Sequence, residues 1–256
     1  MCIVLFQWQP THPHAPLVMA ANRDEFHHRP AQAAQWRGDL FCGLDLQAGG
    51  TWLGVHRDGR MAVITNYREP IAGNGHGARS RGDLPLDFLN GNQDPQTFCH
   101  QVAEQGHHYG GFNLLIGNRQ ELWYVGNRGA EPQAVAAGIH GLCNGLLDDP
   151  WPKVARGTSR LRSLLDEQPM PTPDQLIGVV NDRYQPPEES LPDTGVGPLL
   201  EKLVAPIFIQ SEQYGTRASS AVVIKHQGQP IMHETRWHPN GTMSGSSCNE
   251  SAATDD

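Results

Sequence analysis

The chain has 256 residues, enough for one large domain, and its 38% hydrophobic and 18% charged residues make it globular rather than disordered. A net charge of −8 without a basic stripe argues against a nucleic-acid partner. No run of 18 apolar residues is present to span a membrane, and the short apolar N-terminus lacks the charged leader of a signal peptide.

Residues 2–8 read as a first strand, apolar almost throughout and closed by Pro10, Pro13 and Pro16. Residues 17–21 read as a second short strand that ends at the polar run Asn22-Arg23-Asp24-Glu25. Two apolar runs, 52–55 and 61–64, flank Arg57-Asp58-Gly59-Arg60, and an Asp-Gly turn between apolar runs predicts a hairpin. Its second arm ends at Thr65-Asn66-Tyr67-Arg68. A Gly-rich loop over 72–81 leads into a helix over 79–89, and a second helix is expected over 96–105. Strands follow over 112–116, 121–125 and 134–142, the last reaching Cys143-Asn144-Gly145. Val154, Leu161, Leu164 and Leu165 at helical spacing predict a helix over 151–168, stopped by the prolines at 169–173. Thr172 or Asp174 caps a further helix to about 181. The Pro-rich, acidic stretch 184–198 reads as a surface loop, 221–225 and 231–234 as a last hairpin, and 240–256 as a disordered tail. No repeat or linker divides residues 1–239, which are read as a single domain. Antiparallel hairpins in two stacked sheets with helices outside would make an α+β fold, a four-layer α/β/β/α sandwich.

Five cysteines (Cys2, Cys42, Cys99, Cys143 and Cys248) are widely spaced and form no C-x-x-C pair. Neither a disulfide framework nor structural zinc is expected, and a cytoplasmic protein with reduced thiols is. Cys2 carries the strongest chemical signal. Removal of Met1, the usual fate of an initiator Met before a small residue, would leave a thiol and a free α-amine on one residue. The thiolate is a nucleophile, and an α-amine titrating near ~7.7–8.0 suits a general base. The same Cys also heads an apolar run, where a thiol serves as a core side chain, so position alone leaves both roles open.

Polar residues recur at the ends of predicted strands. Acyl transfer needs a nucleophile, a base, donors for an oxyanion and charges that orient the nucleophile. Cys2 with its amine, Asn66 or Asn144, and Arg23 with Asp24 could fill these roles, and Arg217 could clamp a substrate carboxylate. The plain alternative is that Asn-Gly and Arg-Asp pairs merely terminate strands. The 13 histidines include His27-His28 and His107-His108, but neighbours on a strand point opposite ways and no H-E-x-x-H is present, so no metal site is expected. Neither Gly49-Gly50-Thr51 nor Gly73-Asn74-Gly75 has the form of a phosphate loop.

An ordered set of short motifs runs from residue 1 to about 237: Met1-Cys2-Ile3, Asn22-Arg23-Asp24-Glu25-Phe26, Gly49-Gly50-Thr51-Trp52-Leu53-Gly54, Thr65-Asn66-Tyr67-Arg68, Ser80-Arg81-Gly82, Gly111-Phe112-Asn113-Leu114, Asn144-Gly145 and Tyr214-Gly215-Thr216-Arg217-Ala218-Ser219. Together they resemble the NRDE family, which includes the transport-and-Golgi-organisation protein two group. The resemblance implies an Ntn-hydrolase-like fold with Cys2 at the mature N-terminus, similar to cysteine amidases such as the choloylglycine hydrolases and penicillin acylases. It implies catalytic roles for Cys2, Arg23, Asp24, Asn66, Asn144 and Arg217 on a small amide or acyl substrate, with no cofactor required. Animal relatives are linked instead to haem trafficking and to lipid or acyl-CoA metabolism, which implies a binding protein in which Arg23, Arg68, Arg79, Arg81 and Arg217 meet propionates or phosphates. In choloylglycine-type enzymes the Arg and Asp are separated, whereas Arg23 and Asp24 are adjacent; on a regular strand they face opposite ways, and both face Cys2 only if the chain turns.

Overall fold

β1 (Cys2–Trp8) is apolar at every position but Gln7, a pattern that only burial on both faces satisfies. A computed structural model, which describes residues 2–70 and 77–250, buries it on both. β1 pairs antiparallel with β2 (Leu17–Phe26), Cys2 opposite Arg23 and Trp8 opposite Leu17. The other strands are β3 (Ala31–Arg37), β4 (Leu40–Asp45), β5 (Leu53–His56), β6 (Met61–Asn66), β7 (Phe112–Gly117), β8 (Leu122–Gly126), β9 (Gln133–Ala134), β10 (Gly138–Leu142), β11 (Tyr214–Ile224), β12 (Ile231–Trp237) and β13 (Met243–Cys248). They form a sheet in the order β10-β1-β2-β11-β12-β13 and a second in the order β3-β4-β5-β6-β7-β8-β9. All the pairings are antiparallel.

The period of two along each strand sorts side chains into layers. Val4, Phe6, Leu17 and Met19 meet Leu53, Val55, Met61 and Leu115 between the sheets. Ile3, Leu5, Val18 and Ala20 face outward onto α3 (Pro152–Glu167) and α4 (Pro173–Val180). Gly157 of α3 lies flat on Leu5, where an added Cβ would come within 2.5 Å of a side-chain carbon. On the other sheet, Ile64, Leu114 and Ile116 pack under Leu84, Phe88 and Phe98 of α1 (Asp83–Asn90) and α2 (Pro95–Gln105). The result is the four-layer α/β/β/α sandwich.

Several elements depart from the sequence-based expectation, each for a physical reason. β2 does not end at Asn22 but runs through the polar residues to Phe26, because its backbone is paired on both sides, with β1 and with β11. β3 has only Ala and Trp among polar residues and no alternation to reveal it, and it sits at a sheet edge. The single strand expected over 134–142 is two, β9 and β10, in different sheets. α5 (Pro198–Leu203) lies at the end of the stretch read as loop. The disordered tail expected from residue 240 is corrected: β13 pairs with β12 through backbone hydrogen bonds that its small polar residues do not advertise. Residues 251–256 lie outside the described residues, as does the Gly73-Asn74-Gly75 part of the Gly-rich loop. Thr172 caps α4 in a reciprocal capping box with Gln175.

Candidate active site at the head of the first strand

Cys2 is the first residue of β1, and the parity of that strand points its side chain between the sheets with Val4 and Phe6. It is 8% exposed and borders a cavity of about 480 Å³. Arg23, Asp24, Asn66 and Arg217 border the same cavity. Asn144 stands behind that wall. Its Nδ2 donates to the Asn66 carbonyl at 2.8 Å, its Oδ1 accepts from the Cys143 thiol at 3.3 Å, and its own carbonyl accepts the Arg68 N–H at 2.7 Å. The Cys143 thiol also reaches the Cys2 carbonyl, at 3.2 Å.

β2 stays regular through Arg23 and Asp24, so the two do diverge. Arg23 lies between the sheets, where its Nη2 donates to Asp45 at 3.0 Å and approaches Glu25 at 3.9 Å. Asp24 takes the helix side, 1% exposed, and accepts from the Thr216 hydroxyl at 2.7 Å. Asp24 still reaches Cys2, through its backbone N–H, because it lies at the strand end just past the pair Cys2–Arg23. Asn22, also on the helix side and fully buried, bonds the carbonyls of Val180 and Ile207 and the Ser219 hydroxyl, and so serves the packing of α4.

A bulge in β11 between Thr216 and Ala218 makes this arrangement possible. Val222 and Ile224 face between the sheets, and Ala221 and Val223 face the helices. Without the extra residue Thr216 would fall on the inter-sheet side; the bulge turns it toward Asp24 and brings Arg217 to the cavity. Arg217 donates to the carbonyls of Phe26, at 3.3 Å, and of Arg29.

Burial pushes the Cys2 thiol above its ordinary range; the Asp24 carboxylate adds to the rise, and Arg23 and the Asp24 N–H oppose it. Burial also pushes the Asp24 carboxyl up, against Lys153, the Thr216 hydroxyl and Arg23. Lys153 is itself buried in the first turn of α3, its Nζ donating to the Val204 carbonyl at 2.9 Å. At Asp45 burial pushes upward too, but hydrogen bonds from Arg29 and the Ala48 N–H, with the charges of Arg29 and Arg23, hold it below the usual carboxylate range. Burial raises the Tyr214 phenol, whose hydroxyl donates to the Asp24 carbonyl at 3.0 Å.

The reading of the residues named Arg81 only as a partner for propionates or phosphates, and it missed Asp45 and, further along, Glu234 and Arg236 of the wall. Asp45 carried no signal, because its role depends on β4 of one sheet lying across from β2 of the other. Among the described residues the cavity holds six arginines (Arg23, Arg29, Arg79, Arg81, Arg217 and Arg236) and no histidine. No group of three or more His, Cys, Asp or Glu among the described residues is placed to hold a metal ion. No helix among them is long and apolar enough to cross a membrane.

Residues 1–239 match the model of the family described as Transport and Golgi organisation 2. The Bos taurus Transport and Golgi organization protein 2 homolog is 35% identical, over 93% of this chain and 96% of its own. The Homo sapiens homolog is 33% identical, over 91% of this chain and 92% of its own. Among solved structures, an arginine-to-leucine variant of conjugated bile acid hydrolase from Clostridium perfringens is similar in fold, with a TM-score of 0.50 at 8% identity, covering 96% of this chain and 92% of that one. At that identity the likeness speaks for the Ntn-hydrolase-type fold alone.

Proposed function

The chain belongs to the Transport and Golgi organisation 2 family, and we propose that it is an N-terminal-cysteine amidohydrolase acting on a small amide or acyl substrate. The observation that carries this reading is the position of Cys2, a buried thiol at the very head of a strand and on the wall of a cavity. With Met1 removed, an α-amine at residue 2 lies one step along the register from Asp24, whose carboxylate holds the ammonium form in place. Burial favours the protonated thiol, so the nucleophile needs a base, and the α-amine supplies one near working pH. The amine takes the thiol proton as Sγ attacks the carbonyl carbon. The Asn66 side chain donates to the oxyanion, and Asn144 braces Asn66 through its backbone carbonyl. The tetrahedral intermediate expels the leaving amine, which takes the proton back from the α-ammonium. Water then releases the acid from the thioester by the same route. Arg217 receives a substrate carboxylate. The reaction requires no cofactor, and the reduced thiol suits the cytoplasm.

A second reading, a carrier of haem or acyl-CoA, is favoured by the arginines of the cavity: among the described residues, Arg81 and Arg217 make no ion pair and are open to propionate or phosphate. With no histidine on the described wall, haem iron would look to Cys2 for a ligand.

One experiment separates the two. Protein whose intact mass lacks Met1 is treated with a thiol-reactive acyl probe. The amidase reading expects an acyl-enzyme on Cys2 ahead of the exposed Cys248, and complete loss of amide turnover in a folded Cys2→Ala variant. Labelling at Cys248 with Cys2 inert removes it. The carrier reading expects haem or acyl-CoA to shield Cys2 while no amide is hydrolysed.

A further inference from the structure

Four of the six cavity arginines are neutralised by carboxylates: Arg23 and Arg29 by Asp45 and Glu25, Arg79 by Asp87 and Arg236 by Glu234. Among the described residues the other two, Arg81 and Arg217, donate only to backbone carbonyls. They differ in where they stand. Arg217 rides the bulge of β11, on the same sheet as Cys2, with its nearest charges in Arg23, Glu25 and Asp45. Arg81 comes from the second sheet's side, from the segment leading into α1, and is fixed by the bond from its Nη1 to the Gly111 carbonyl at 3.0 Å.

The segment that carries Arg81 is held by a contact between two glycines. The Thr51 N–H donates to the Gly82 carbonyl at 3.1 Å, and a Cβ on Gly50 would lie 2.5 Å from the Gly82 carbonyl carbon. A Cβ on Gly82 would lie 3.0 Å from the Gly50 Cα. Thr51 is in turn tied to β4, its hydroxyl donating to the Gly43 carbonyl at 2.7 Å. No side chain fits at Gly50, and one at Gly82 would be tight. The glycines in Gly49-Gly50-Thr51 and Ser80-Arg81-Gly82 thereby explain each other, and what they bring to the cavity is Arg81.

We propose that Arg81 is the charge partner of the Cys2 thiolate, a guanidinium set across the cavity from the head of β1 by the Gly50–Gly82 contact. This rests on the reading of Cys2 as a functional thiol. Arg81 takes no proton; the thiol proton leaves to the base, and the guanidinium stabilises the sulfur charge left behind. Burial lowers the Arg81 pKa, and the Cys2 thiolate heads the charges that oppose that fall. Arg81 lines the same cavity as Cys2. Cys2 itself is acted on by the α-amine and by Arg23 and Asp24 of β2, the Cys143 thiol reaches its carbonyl, and its charge is felt by Tyr214 of β11 and by Arg81. Of the two arginines, Arg23 shares its charge with Asp45, whereas Arg81 makes no ion pair among the described residues and keeps its full charge for the thiolate. Arg81 is a positioning residue, distinct from the substrate clamp at Arg217.

The test is the rate of Cys2 alkylation by iodoacetamide, read by peptide mass across neutral and alkaline pH. Arg81→Gln should slow alkylation at neutral pH about tenfold and move the reactivity midpoint up by about one unit, since a unit of pKa is a tenfold change. Arg81→Met stands in if Arg81→Gln does not fold. Arg81→Lys, which keeps the charge, should recover most of the rate, and Arg57→Gln, placed on Trp36 and Asp39, should change nothing. A wild-type midpoint in folded, uncharged variants overturns the proposal, and so does an equal loss in Arg81→Lys. Alkylation needs neither amide turnover nor loss of Met1. A shifted midpoint without any hydrolysed amide therefore supports Arg81 and removes the amidase reading, whereas hydrolysis with an unmoved midpoint overturns Arg81 alone.

Discussion

The space between the two sheets is filled at one end and hollow at the other, although β1 and β2 run through both. At the Trp8 end, Phe6, Trp8, Leu17 and Met19 meet Val55, Met61 and Leu122 in an apolar cluster. At the Cys2 end the inward positions are Arg23 and Arg217, with Asp45 of β4 and Arg81 of the segment before α1 on the same cavity wall. Guanidiniums and carboxylates cannot be packed dry without a large desolvation cost, so they line a cavity rather than fill a core. The same strands supply stability at one end and chemistry at the other, and strand parity keeps the two on one face.

That division can be tested from both ends. The largest effect on stability is expected at the filled end. Phe6→Ala, at a fully buried site, should cost about 3–5 kcal/mol in a denaturant titration while leaving the native-state alkylation rate of Cys2 unchanged. A parallel fall in Cys2 reactivity would show that the ends are not separable. A smaller loss, about 1–3 kcal/mol, is expected for Thr216→Val, which strips Asp24 of its 2.7 Å donor and the Ile209 N–H of its acceptor at 2.9 Å. If thermal melts of Thr216→Val match the wild type, the bulge is not a support for Asp24.

The smallest effect is a pH dependence at the filled end. The bond to Asp148 at 2.7 Å raises the pKa of His140, whose ring lies 5.3 Å from that of Phe6; burial opposes the rise. A raised folded value means that the stabilising contribution is fully present below the ordinary imidazole value of about 6.5 and is lost as pH rises through the folded value. The stability difference between wild type and His140→Gln should therefore shrink as pH increases through that window, as followed by melting at a series of pH values. A difference that stays constant with pH would rule out this linkage.

Much of the fold was legible because local chemistry repeats it. The all-apolar run at 2–8, the Asp58-Gly59 turn and the helical spacing of Val154, Leu161 and Leu165 each mark their element without outside help. β3 and β13 were not legible. They are edge strands whose backbone pairing holds them, and backbone hydrogen bonds leave no trace in side-chain pattern. At the site, Cys2, Arg23, Asp24, Asn66 and Arg217 stood out as polar or reactive groups at strand ends, and they border one cavity. Asn144, chosen on the same grounds, instead braces the backbone behind it. Asp45 ends β4 much as Arg23 nears the end of β2, but nothing in its neighbours in the chain announces a partner 22 residues away.

The sequence by itself determined the strand periods, the turns, the capped helix and the placement of a thiol at the head of the first strand, because each depends on residues within a few positions of one another. Tertiary structure alone decided which way the polar residues of β2 face, which arginines are paired with a carboxylate, and that Gly50 meets Gly82. Those outcomes turn on register. One extra residue, the bulge between Thr216 and Ala218, exchanges the faces of everything before it, and a register is set only when whole strands pair.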